Sequence, residues 1–123
     1  MVKLQTLKQQ FETSYMKNNE SIQSYISRMV GFVYQMRAYG DKVTGQTVVA
    51  KSMRSLTSKF DHIVAAIEES KDLTILIVDE LSGSLQAHEA RLNRIVEKAE
   101  EIAFQVQGET YNAREGDKAL VRG

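Results

Sequence analysis

The 123 residues predict an all-α fold, a compact bundle of about five helices with a long C-terminal helix and a disordered tail. Three observations carry that prediction. Proline is absent where average usage would place about six, so nothing forces a break in a long helix. Apolar residues recur at three- and four-residue steps along most of the chain. One apolar run, Leu73 to Val78, has strand character, and no second run could pair with it.

The first helix is expected from Val2 to about Met16, with Leu4, Leu7 and Phe11 on one stripe. Lys17, Asn18 and Asn19 break it. Asn18, Asn19 and Ser21 are all candidate caps for a second helix reaching Tyr39, and Glu20 suits the positive end of its dipole. The buried stripe of that helix is Ile22, Tyr25, Ile26, Met29, Val33 and Met36, widened by Val30 and Phe32. Gly40 stands where a C-terminal glycine cap belongs. Thr44 can cap a short third helix carrying Val48, Val49, Met53 and Leu56. Ser58 can cap a fourth, whose buried face is Phe60, Ile63, Val64 and Ile67. Residues 70–77 read as an extended connector, with a fifth helix starting near Val78.

The fifth helix has the most regular pattern. Leu81, Leu85, His88, Leu92, Ile95, Ala99, Ile102 and Val106 step alternately by four and three, a 3.5-residue repeat. Such a helix is about 40 Å long, more than five short helices can cover. The part beyond Leu92 is therefore expected to project or to find a partner. Residues 108–123 hold few apolar side chains and read as a disordered tail, leaving 1–107 as the folded domain.

Charge and composition exclude several function classes. Hydrophobic residues at 42% place the chain outside disordered classes. Sixteen basic residues balance sixteen acidic ones, which leaves no electrostatic footprint for nucleic acid or an anionic membrane. With no cysteine there is no disulfide, thiolate metal site or cysteine nucleophile, and two histidines are too few for a histidine metal site. No apolar run approaches a membrane span, and the N-terminus lacks a secretory pattern, so cytoplasm is expected, with the nucleus possible.

Catalytic constellations are not found, and neither a cofactor nor a small-molecule substrate is expected. His88-Glu89 lacks the second histidine of a zinc helix. Ser84 and its neighbours Ser82 and Gly83 lie inside a helical pattern rather than on a strand-to-helix elbow, and Gly83 reads as a close packing point. Glu68-Glu69 and Glu100-Glu101 diverge around a helix and suit a solvated face. His62 and His88 read as structural. Tyr15, Tyr34 and Tyr39 could stack on bases, but no basic groove accompanies them.

Five strings, in order, go beyond periodicity: Val2–Glu12 VKLQTLKQQFE, Glu20–Met29 ESIQSYISRM, Gln35–Val43 QMRAYGDKV, Lys59–Leu73 KFDHIVAAIEESKDL and Asp79–Arg94 DELSGSLQAHEARLNR. With them the chain resembles the Gag polypeptide of plant copia-type LTR retrotransposons from Val2 to about Gln107. Glu20-Ser21-Ile22-x-x-Tyr25-x-x-Arg28 is also similar to the major homology region of retroviral capsids. The resemblance implies a capsid-like helical domain, shortened at its N-terminus and without the zinc knuckle that binds RNA. It further implies a structural ion pair between Glu20 and Arg28 that fixes the start of the second helix. Thr57 and Ser58 stand where the family often has prolines, Ile77 where it has a small cap, and Met16 where the retroviral region has glutamine. These departures suggest a copy under relaxed constraint.

The implied function is a structural capsid segment that self-associates into virus-like particles. Leu92, Ile95, Ala99 and Ile102 are the expected self-association residues. Partners would be copies of the same chain or other Gag chains, with nucleic acid bound only weakly or indirectly. The alternative is a Gag-derived binding module or adaptor that pairs with Gag or host proteins.

Overall fold

A computed structural model describes residues 2–108, and the helical backbone of the last element continues to Arg122. Five α-helices follow one another: α1 (Val2–Glu12), α2 (Ile22–Ala38), α3 (Gly45–Arg54), α4 (Asp61–Ser70) and α5 (Val78–Arg122). A 3-10 turn, Ser58–Phe60, leads into α4, and no strand occurs among the described residues. The chain divides into two units, Met1–Glu89 and Ala90–Gly123. The expected domain, 1–107, spans the first unit and the first part of the second. The expected disordered tail lies, apart from Gly108, outside the described residues.

Local chemistry explains the boundaries of α2 and α3. Ser21 Oγ accepts from Ser24 N at 3.1 Å and caps α2. The chain leaves α2 through Gly40, whose φ of +92° a side chain would resist. Thr44 Oγ1 accepts from Thr47 N at 3.2 Å and caps α3.

Three boundaries differ from expectation. Helix α1 stops at Glu12 rather than near Met16, because the backbone of Tyr15 and Met16 bonds to distant partners described below. Ser58 does not cap α4. Thr57 precedes the 3-10 turn with extended dihedrals (φ −70°, ψ 160°), and its hydroxyl lies 4.0 Å from Met16 Sδ. The connector is a turn rather than an extended segment. Asp72 Oδ1 accepts from Thr74 N (2.9 Å) and Thr74 Oγ1 (2.6 Å), while Ile75 N and Leu76 N both donate to Asp72 O.

The core of the first unit is continuous. Phe11 of α1 and Met29 and Met36 of α2 lie within it with Val49 of α3, Phe60, and Leu81 and Leu85 of α5. Ile22, Tyr25, Phe60, Leu81 and Leu85 are each 0% exposed. The His88 ring packs tilted against Phe60, with centroids 5.9 Å apart. Gly83 is not a packing point: it is exposed, and an added Cβ there meets nothing within 4 Å.

Candidate functional site

Two features stand out among the candidate residues: a polar cluster centred on Arg28 and an exposed apolar stripe on α5. Arg28 lies two turns into α2, on the side facing the loop that joins α1 to α2. Its guanidinium forks onto Glu20, Nε donating to Oε2 at 3.1 Å and Nη2 to Oε1 at 2.8 Å. Nη2 also donates to Tyr15 O at 3.0 Å, and Nη1 to Ser14 Oγ. One side chain thus ties three points of a single loop to the helix that follows it. The planar fork of arginine matches a carboxylate, which lysine could not replace.

Glu20 is engaged from a second side. Its Oε1 accepts from Lys17 N at 3.0 Å, and Glu20 N donates to Lys17 O at 3.1 Å, closing the turn before α2. The Glu20 side chain keeps 9% of its exposure and Arg28 29%. The hydrogen bond from Arg28 holds the Glu20 carboxyl below the usual carboxylate range, against a smaller opposing effect of burial. The same bond raises the Arg28 guanidinium further.

Other ties fix the same loop from α3 and α5. Lys51 is buried, and its ammonium donates to Glu12 O at 2.6 Å, a cation on the carbonyl end of α1. That ammonium also lies 4.7 Å from the Tyr15 ring centroid. Burial pulls the Lys51 ammonium below its ordinary value. Met16 N donates to Ser55 O at 2.9 Å. The Tyr25 hydroxyl donates to Ser52 O at 2.8 Å, and burial pushes its phenol up to about 12. From α5, Glu89 Oε2 accepts from Ile22 N at 2.9 Å. That is an orphan donor at the start of α2, and a carboxylate there also complements the helix dipole.

The structure therefore brings Glu20 and Arg28 together and adds Ser14, Tyr15, Lys51 and Glu89 around them. Sequence reasoning missed those four. For Glu89 no local signal exists, because its partner is 67 residues away. Lys51 did carry a signal, since it falls on the same turns of α3 as the buried Val48 and Ser52. Chemically the cluster is inward-looking: the polar atoms of Arg28 and Glu20 bond within the chain. It holds a loop and does not present a reactive group.

The self-association candidates lie in the second unit, on α5. Leu92 is half-buried, while Ile95 (58%), Ala99 and Ile102 (50%) are exposed. Val96 beside them is 55% exposed. Among the described residues, no helix is long and apolar enough to cross a membrane.

Family comparison matches residues 1–97 to the gag-polypeptide of LTR copia-type. No curated protein and no solved structure matches the chain. The matched stretch contains the Arg28 cluster, all of α1 to α4 and the first part of α5. On that match the chain belongs to the copia-type LTR gag-polypeptide family.

Proposed function

We propose that this Gag chain is a capsid segment that self-associates into particles through helix packing. Family membership carries the structural role. The exposed stripe on α5 carries the further step, because Leu92, Ile95, Ala99 and Ile102 repeat at seam spacing and three of the four are exposed. Two copies that each cover about 250 Å² of apolar area gain on the order of 12 kcal/mol gross. The cost of association is of similar size, so one pair is weak and a particle gains strength from many such contacts. The 123 residues contain no cysteine, so no cysteine-ligated zinc knuckle lies within them. The role proposed is structural and not catalytic, and its setting is the cytoplasm.

Light scattering across a dilution series tests this reading. The chain should form a dimer or larger species that dissociates on dilution. The double variant Leu92→Asp/Ile95→Asp should remain monomeric with unchanged helicity by circular dichroism. A wild-type chain that stays monomeric at every concentration overturns the proposal.

A further inference from the structure

We infer that the first unit carries two complementary ends through which copies join head to tail. The acidic corner between α4 and α5 of one copy meets the basic corner between α3 and α4 of the next. This contact rests on the self-association reading above and is separate from the α5 seam.

The balanced total charge hides an uneven distribution. Residues 1–60 hold nine basic and three acidic side chains, and residues 61–89 hold one basic and seven acidic. Two of the three acids in the first stretch are already committed, Glu20 to Arg28 and Asp41 to Lys8. Among the described residues no ion pair joins the two stretches.

Topology turns this imbalance into two ends. Gln46 Nε2 donates to Thr74 O at 3.2 Å, so the connector that follows α4 returns to the start of α3. The two helices therefore run in opposite directions, and the ends of α4 lie about 15 Å apart. At one end stand Arg54 and Lys59, with Lys17 brought beside them because Met16 N donates to Ser55 O. Asp61 is the opposing charge there, since Glu20 is held by Arg28. At the other end Glu68 and Glu69 close α4, Asp72 sets the turn, and Asp79 and Glu80 open α5, against Lys71 alone.

Each end has an apolar centre inside its charged rim, the usual anatomy of a protein interface. Ile75 (74%) and Ile77 (54%) are exposed at the acidic end. Tyr15 (63%) is exposed at the basic end, with Leu56 half-buried beside Ser55. Glu68 and Glu69 also stand on the last turn of α4 with no basic residue in that turn, where the helix dipole disfavours carboxylates. Cations from a second copy relieve that cost. Because the two patches differ, the contact is heterologous and repeats into a ring or an open chain. Neither patch includes a seam residue of α5, so the two contacts do not compete for the same side chains. The end contact is weak alone and acts between seam dimers, where several contacts form at once.

Two charge-reversed chains test this. One has Glu68→Lys and Glu69→Lys, and the other Arg54→Glu and Lys59→Glu. All four side chains are exposed, so helicity by circular dichroism should match wild type. In light scattering at low salt, wild type should grow beyond the dimer, and each variant alone should stop at the dimer. An equimolar mixture should regain the larger species, because the intact basic end of one variant fits the intact acidic end of the other. Variants that grow as wild type does, or a mixture that stays dimeric, overturn the inference. A wild-type chain that stops at the dimer overturns it too and leaves the self-association reading standing. A wild-type chain that is monomeric throughout overturns both. The larger wild-type species should also shrink between about 0.01 M and about 0.1 M salt, as the screening length falls from about 30 Å to about 10 Å. Growth with added salt overturns the charge pairing.

Discussion

Helix α5 carries one apolar repeat through two different surroundings. In residues 78–89 Leu81 and Leu85 are completely buried, and His88 and Glu89 reach Phe60 and the start of α2. In residues 90–102 the same spacing continues through Leu92, Ile95, Ala99 and Ile102, and the stripe is largely exposed. Periodicity selects a face of a helix, and burial depends on whether other elements exist to cover that face. Within the first unit the shared core, with Phe60 and the start of α2, supplies the cover. Substitution separates the two halves most sharply. Leu85→Ala should lower unfolding free energy by about 2–5 kcal/mol, because it opens a cavity in a closed core. Ile95→Ala should change it by less than about 0.5 kcal/mol when measured by urea denaturation at a concentration where the chain is monomeric. Comparable losses at both positions would break the comparison and place Ile95 in a core of its own chain.

The same division governs what could be read in advance. Helix starts were legible wherever the cap is local: Ser21 and Thr44 each accept from a backbone N–H three residues on. Gly40 marked the end of α2 because the left-handed backbone there suits glycine. The Glu20–Arg28 pairing was available because both residues belong to one short resembling motif. What stayed hidden was non-local. Helix α1 ends early because Arg28 binds Tyr15 O and Ser55 O accepts from Met16 N. Lys51 and Glu89 act through elements far away in sequence. The run Leu73–Val78 looked extended because β-branched residues suit strands, while Asp72 set a turn that only the folded chain makes plain.

A second test sharpens the contrast from the packed side. Arg28→Met retains much of the side-chain volume but leaves Glu20 without its fork and Tyr15 O without a donor. The expected loss is about 2–3 kcal/mol, less than for a fully buried pair because Arg28 keeps 29% of its exposure. Acid should act on the same contact. Glu20 binds its proton less readily in the folded chain than in the unfolded one, whose ordinary value is 4.5. In the interval below 4.5 the unfolded state holds more protons, so stability rises as pH rises through that interval and is lost on acidification. Urea midpoints measured from neutral pH into that range should fall more steeply for wild type than for Arg28→Met. Parallel pH profiles would show that the fork does not control Glu20.

A smaller effect than the loss of the Arg28 fork concerns how α5 begins. Ser21 and Thr44 cap α2 and α3 with hydroxyl groups, whereas Ile77 occupies the corresponding place before α5. Leu81 N donates to Ile77 O at 3.0 Å, closing the first turn, and the Ile77 side chain is 54% exposed. It has no atom to accept from the free N–H groups of that turn, and Asp79 and Glu80 complement the dipole without replacing a cap. Ile77→Ser adds the missing acceptor and gives up little apolar contact. The expected gain is about 0.5–1 kcal/mol, a rise in Tm of a few degrees for a unit of this size. Thr44→Ala should change stability by a similar amount in the opposite direction. If Ile77→Ser instead destabilised the chain, the apolar contacts of Ile77 would outweigh a cap, and the start of α5 would be fixed by packing as its buried turns are.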